Sequence, residues 1–335
     1  MNAIGTAPMP QPNGILDTLR SAWRANAPLT LLGIAMIISL ALTIIGVFAD
    51  PRVITGQPAW LKPAKFAISI AIYSFTFVWL LGFVQGRPRL KAIAAWLTTI
   101  TLTVEFVIIA LQAARGTTSH FNFSTALDGA LFSIMAVAIV LTWLAGLLLA
   151  GLLSFQRLPD GAMVVALRMG VVIGLIGMAM AFAMTVPTGE QEVTLVTGQD
   201  TPIMGAHSVG VADGGPGLPI VGWSTVGGDY RVAHFLGLHA MQVLPLLVFV
   251  LARFGRGMGE VTRSRLLWVA SFFYAGIVFI TFWQAGRGQP LIAPDAATLT
   301  AAGVLIATSV VAAGIVLRTQ ARNATLQPNE LPVSG

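Results

Sequence analysis

Cysteine is absent from the 335 residues. That excludes disulfides, thiolate-held zinc, iron–sulfur clusters and thiol catalysis. Charge is scarce as well: 10% of residues are Asp, Glu, Lys or Arg, against 56% hydrophobic. With a mean hydropathy of +0.82, a soluble fold would have to bury repeated apolar runs of about 20 residues as core helices, so the composition reads as an integral membrane protein. HExxH, the P-loop, GxGxxG and the GxSxG elbow are also missing. The net charge of +6 does not point to nucleic acid, because the basic residues cluster in short connections between apolar runs.

Eight such runs are present: 29–49, 64–83, 92–113, 126–153, 162–186, 232–251, 266–285 and 296–317. They predict an all-α integral membrane protein with eight transmembrane helices. Residues 1–28 divide into a Pro/Gly-rich, disordered start and an amphipathic segment, 15–26, lying on the membrane surface. Residues 319–335 form a tail. An even number of spans puts both termini on one side. Arg20, Arg24, Arg87, Arg89, Lys91, Arg157, Arg253, Arg256, Arg263, Arg265, Arg318 and Arg322 fall on that side. The basic-rich side is cytoplasmic, which predicts a multi-pass protein of a bacterial-type inner membrane.

Short internal matches predict two four-helix repeats in parallel orientation, 29–153 and 154–318. Gln112-Ala-Ala-Arg-Gly116 closes the third run as Gln284-Ala-Gly-Arg-Gly288 closes the seventh. Lys62-Pro-Ala-Lys65-Phe66 opens the second as Arg231-Val-Ala-His234-Phe235 opens the sixth. The second copy is longer by the extracytoplasmic loop 187–230, in which 192–197 alternates like a strand. A two-fold axis would bring Arg115 opposite Arg287, and Lys65 opposite His234.

Costly polar groups at membrane depth gather around this arrangement. The four histidines, His120, His207, His234 and His239, all map to the outer side. His234 and His239 are about 140° apart on a helix, so each needs a partner from another element, with Gln242 on the arc between them. Glu105 lies about two turns inside the third span, in a polar stripe with Thr98, Thr101 and Gln112. Lys65, Ser69, Tyr73 and Thr76 form a second stripe. Asp128 in the first turn of the fourth span suits the helix dipole. Lys62, Lys65, Arg115, Arg231 and Arg287 form a ring of cations fitted to an anionic group. In the fifth span, Ala166, Gly170, Gly174, Gly177 and Ala181 mark a close helix contact.

Architecturally the pattern is similar to that of haem A synthases, which also use two four-helix halves with histidines at outer helix ends. Here the sixth span alone carries helical histidines, and the matching positions of the first copy hold Lys65 and Ile70. The first functional expectation is therefore a haem or divalent-metal site, with His120, His234 and His239 as ligands. Arg115, Arg231, Arg287, Lys65, Gln242 and Tyr73 would hold the group; of the two catalytic candidates, Glu105 would be a proton or charge partner and Asp128 would help orient the rings by a hydrogen bond. Two alternatives stand beside it: a proton-coupled secondary transporter of a small organic anion, and a membrane-embedded enzyme acting on a lipid or quinone. Membrane lipid is the expected partner in every case.

Overall fold

The protein is described by a computed structural model covering residues 14–255 and 257–326. Residues 1–13, on which the expectation of a disordered start falls, and also Arg256 and residues 327–335 of the expected tail, lie outside the described residues. Within lipid-like apolar runs a backbone satisfies its own polar groups by helix formation. Accordingly ten helices account for the described chain: α1 (Ile15–Ala25), α2 (Ala27–Ala49), α3 (Leu61–Gly82), α4 (Pro88–Arg115), α5 (Ala126–Ser154), α6 (Gly161–Met180), α7 (Gly189–Val196), α8 (Tyr230–Phe254), α9 (Glu260–Gly286) and α10 (Ala296–Leu326). All but α1 and α7 are long and apolar enough to cross a membrane. Four two-residue strands make two small ribbons: β1 (Val53–Ile54) with β2 (Gln57–Pro58), and β3 (Ser208–Val209) with β4 (Gly228–Asp229).

The helices outrun the apolar windows because they continue to their caps. The Asn26 side chain accepts from Leu29 N, Thr125 from Asp128 N, Asp160 from Ala162 N, and Asp229 from Arg231 N. Each satisfies an amide that the first helical turn leaves unpaired. One expectation fails outright. Residues 192–197 belong to helix α7 and its cap, not to a strand. A capping box between Thr188 and Gln191 starts that helix. Thr194 and Thr197 then bond back to the carbonyls of Glu190 and Val193, so local capping outweighs β-propensity.

In the first half α2 packs on α3, α3 on α4, α2 on α4 and α4 on α5. Among the later helices α6 packs on α8, α8 on α9, α6 on α9 and α9 on α10. The tightest contact is where expected. A Cβ on Gly177 of α6 would stand 2.6 Å from the Gly237 Cα of α8. Gly170 and Gly174 likewise face Ala240 and Met241 of α8, so absent side chains let the two backbones meet. The halves share a core in which Phe77, Leu149, Leu175 and Met241 are all buried. Trp143 on α5 reinforces it by donating to the Leu175 carbonyl on α6 at 3.0 Å. By contrast α9 and α10 leave most of their apolar surface open, including Phe272, Val310 and Ile315. Lipid contact accounts for such a surface.

Candidate functional site

At one end of the bundle the connections 50–60, 116–125, 186–229 and 287–295 meet. Phe123 N donates to the Pro202 carbonyl at 2.7 Å, and Met204 N to the Phe121 carbonyl at 2.8 Å. Lys65 of α3 reaches the Val221 carbonyl at 3.2 Å and Gln57 Oε1 at 2.9 Å. Tyr230 N donates to the His207 carbonyl at 3.1 Å. The long 186–229 segment is thus latched to both halves and covers the ends of α3, α4 and α8. Phe121 takes a left-handed backbone (φ 60), a conformation costing about 1–2 kcal/mol. Its ring packs on Phe132 and His207, and the bond from Met204 holds its carbonyl.

Beneath this cover four titratable groups from three parts of the chain line up. Glu105 of α4 is 4% exposed, and its Oε1 lies 3.6 Å from His120 Nε2. The other carboxylate oxygen, Oε2, is buried without a hydrogen-bond partner. His120 Nδ1 is 3.0 Å from Ser119 Oγ. The ring is walled by Phe66, Phe121 and Phe132, with centroids at 5.8, 5.9 and 6.3 Å. The His207 ring lies 6.3 Å away between centroids. His207 Nδ1 meets Asp213 Oδ2 at 2.6 Å, and Asp213 also accepts from the backbone N–H of His207 and Ser208. With Asp213 ionised, Nδ1 of His207 carries the proton.

Burial first, then the charges of Lys62 and His207, pushes His120 well below the ordinary histidine value. Burial lowers His207 too, against the opposing hydrogen bond to Asp213. Burial works to raise Asp213, yet its bonds from His207 and the two backbone amides hold it well below the usual carboxylate range. A pair of neutral imidazoles is therefore the resting arrangement near neutral pH.

The polar stripe of α4 continues inward. Thr101 Oγ1 meets Thr142 Oγ1 of α5 at 2.7 Å. Thr98, two turns below Glu105, and Ser74 of α3 each bury a hydroxyl with no partner. Unpaired polar atoms in an apolar core are costly and call for an explanation.

The remaining expected residues take other stations. Arg115 binds Asp128 at 2.6 Å, and Gln112 and Thr125 also donate to that carboxylate. Arg231 grips Asp229 through Nε and Nη2 and reaches the Gly222 carbonyl. Arg287 pairs with Asp295 at 2.8 Å and lies 3.7 Å over the Trp283 ring. Arg115 and Arg287 are thus paired with separate acids. Each closes on an acid at the start of the next span, because a partly buried guanidinium is stabilised most by the nearest carboxylate. His234 is held by the Gly177 carbonyl at 2.8 Å and not by Lys65. His239 contacts Phe235 and Gln242, and Gln242 bonds Thr76 of α3 at 2.9 Å. Thr76 is ten residues beyond Phe66, about 15 Å further along α3, so His239 and His120 occupy separate places. Tyr73 packs against Phe77 in the shared core. Among the described residues no three His, Asp or Glu side chains converge as a metal ligand set.

Lys62, His207 and Asp213 join Glu105 and His120 although the sequence does not single them out as a set. Asp213 sits in a glycine-rich stretch with no spacing signal, and its pairing with His207 arises from loop closure. The one available hint was that all four histidines mapped to one side. Comparison of the chain with family models, characterised proteins and solved structures finds no match, so the chemistry has to be read from these residues.

Proposed function

We propose that this polytopic membrane protein is a proton-coupled secondary transporter of a small organic anion. The observation that carries the reading is the series Glu105, His120, His207, Asp213, running from a buried span into the covering segment. Carboxylate–histidine series of this kind suit proton movement at membrane depth. Each imidazole accepts at one nitrogen and releases at the other, while the phenyl wall keeps bulk water from short-circuiting the path. The partnerless hydroxyls of Thr98 and Ser74 extend the polar track toward the middle of the bundle.

The similar packing order of the earlier and later helices supports the two-repeat organisation, with the series at the junction. The arginine-rich opposite end supports a cytoplasmic placement of both termini in a bacterial-type inner membrane, and an extracytoplasmic placement of the 187–230 loop. The haem or metal reading draws less support, since His120, His234 and His239 stand in three separate settings.

The test is reconstitution in vesicles with an imposed pH gradient and radiolabelled acetate, lactate and benzoate as probes. Acid-driven uptake of at least one probe that is lost in Glu105→Gln supports the reading. Uptake indifferent to the gradient and to Glu105→Gln, or a Soret band in the purified protein, overturns it.

A further inference from the structure

Lys62 lies in the first turn of α3, one turn before Phe66, whose ring packs on His120. The other cations of this end are committed: Lys65 to Gln57 and Val221, Arg231 to Asp229 and Gly222, Arg115 to Gln112 and Asp128. Among the described residues the Lys62 ammonium makes no hydrogen bond or ion pair. It meets Glu105, Asp213, Lys65 and Arg231 at longer range. In the same group of side chains, Glu105 Oε2 is buried and lacks a donor. An ammonium without a protein partner and, within electrostatic reach of it, a buried carboxylate oxygen without a donor make an incomplete polar site.

We propose that Lys62 is the docking point for the carboxylate of a small monocarboxylate with an apolar tail, in competition with Glu105 for the same ammonium. One uncommitted cation matches one carboxylate, and Phe66, Phe121 and Phe132 offer the apolar wall for the rest of the ligand. Two carboxylates cannot share one ammonium without repulsion, so the ligand binds best when Glu105 carries a proton. That links anion and proton one to one. The inference rests on Glu105 being the proton-carrying group of the transport reading. The other groups near this position are His120 in the 116–125 connection, His207 and Asp213 in the cover, Lys65 on α3, and Arg231 on α8 with its partner Asp229 in β4.

The experiment is equilibrium binding of benzoate, acetate and inorganic phosphate to the detergent-purified full chain. Benzoate should bind most tightly, and more tightly as the pH falls from about 7.5 to 5.5. Lys62→Met should weaken benzoate about tenfold or more, and Lys62→Arg should restore most of it. Glu105→Gln should tighten binding at the higher pH and flatten the pH dependence. Benzoate affinity unchanged in Lys62→Met, or weakened in Glu105→Gln with the thermal unfolding profile intact, overturns the proposal. Should Lys62→Met fail to fold, Glu105→Gln alone decides. Binding as expected without vesicle uptake would sink the transport reading and leave the site standing. Uptake unaffected by Lys62→Met would do the reverse.

Discussion

His120 presents Nε2 to Glu105 Oε1 at 3.6 Å while its Nδ1 faces Ser119 Oγ at 3.0 Å. The distance to Glu105 is slightly long for a hydrogen bond, so a small shift of either side chain makes or breaks the link. His120→Gln should leave the fold intact and slow acid-driven uptake, whereas Ser119→Ala should have a far smaller effect. Initial uptake rates in vesicles check this; equal loss in both variants would mean that the loop, not the imidazole, matters.

Acidification should loosen the covering segment. Burial holds both His207 and His120 below the ordinary histidine value of 6.5. The unfolded segment therefore takes up protons first as pH falls below 6.5, and stability present above that pH is lost on the way down. Asp213, itself depressed, keeps its contribution until the pH falls below its ordinary 3.8, outside this window. Hydrogen exchange corrected for intrinsic rates should rise in residues 202–214 between about pH 7.5 and 5.5. A fall would reverse the sign and refute the argument.

Removing Asp128 should damage stability. Its carboxylate is 4% exposed and accepts from Arg115, Gln112 and Thr125, so Asp128→Ala strands several donors. A loss of about 2–3 kcal/mol is expected from a charged hydrogen-bonding group, read by denaturant titration in detergent. Uptake per folded molecule should change little.

The α6–α8 contact should not tolerate bulk. Gly177→Leu forces a side chain against the Gly237 backbone and displaces the carbonyl that holds His234. Overpacking of this kind costs about 1–3 kcal/mol. Gly82→Ala, at a position with open space around it, serves as the control and should be near neutral in the same titration.

Much of this protein was decided along the chain. Hydropathy over about 20 residues locates a span, because a backbone in lipid can be satisfied only by its own helix. All eight expected spans are helices in the structure. Small-residue spacing located the face of α6 that meets α8, since Gly170, Gly174 and Gly177 act through what they lack. Asp128, read as a first-turn acid, does stand there, capped by Thr125.

What the chain order did not decide is which polar group meets which. Arg115 and Arg287, matched by their motifs, each close on a local acid. His234 turns to the Gly177 carbonyl, and α7 replaces a strand through a four-residue capping box. Glu105, His120, His207 and Asp213 lie up to 108 residues apart in sequence, and no period or spacing links them. Their meeting depends on where the 186–229 segment is latched across both halves, and a hydrogen bond selects its partner only among the groups that packing has already brought within reach.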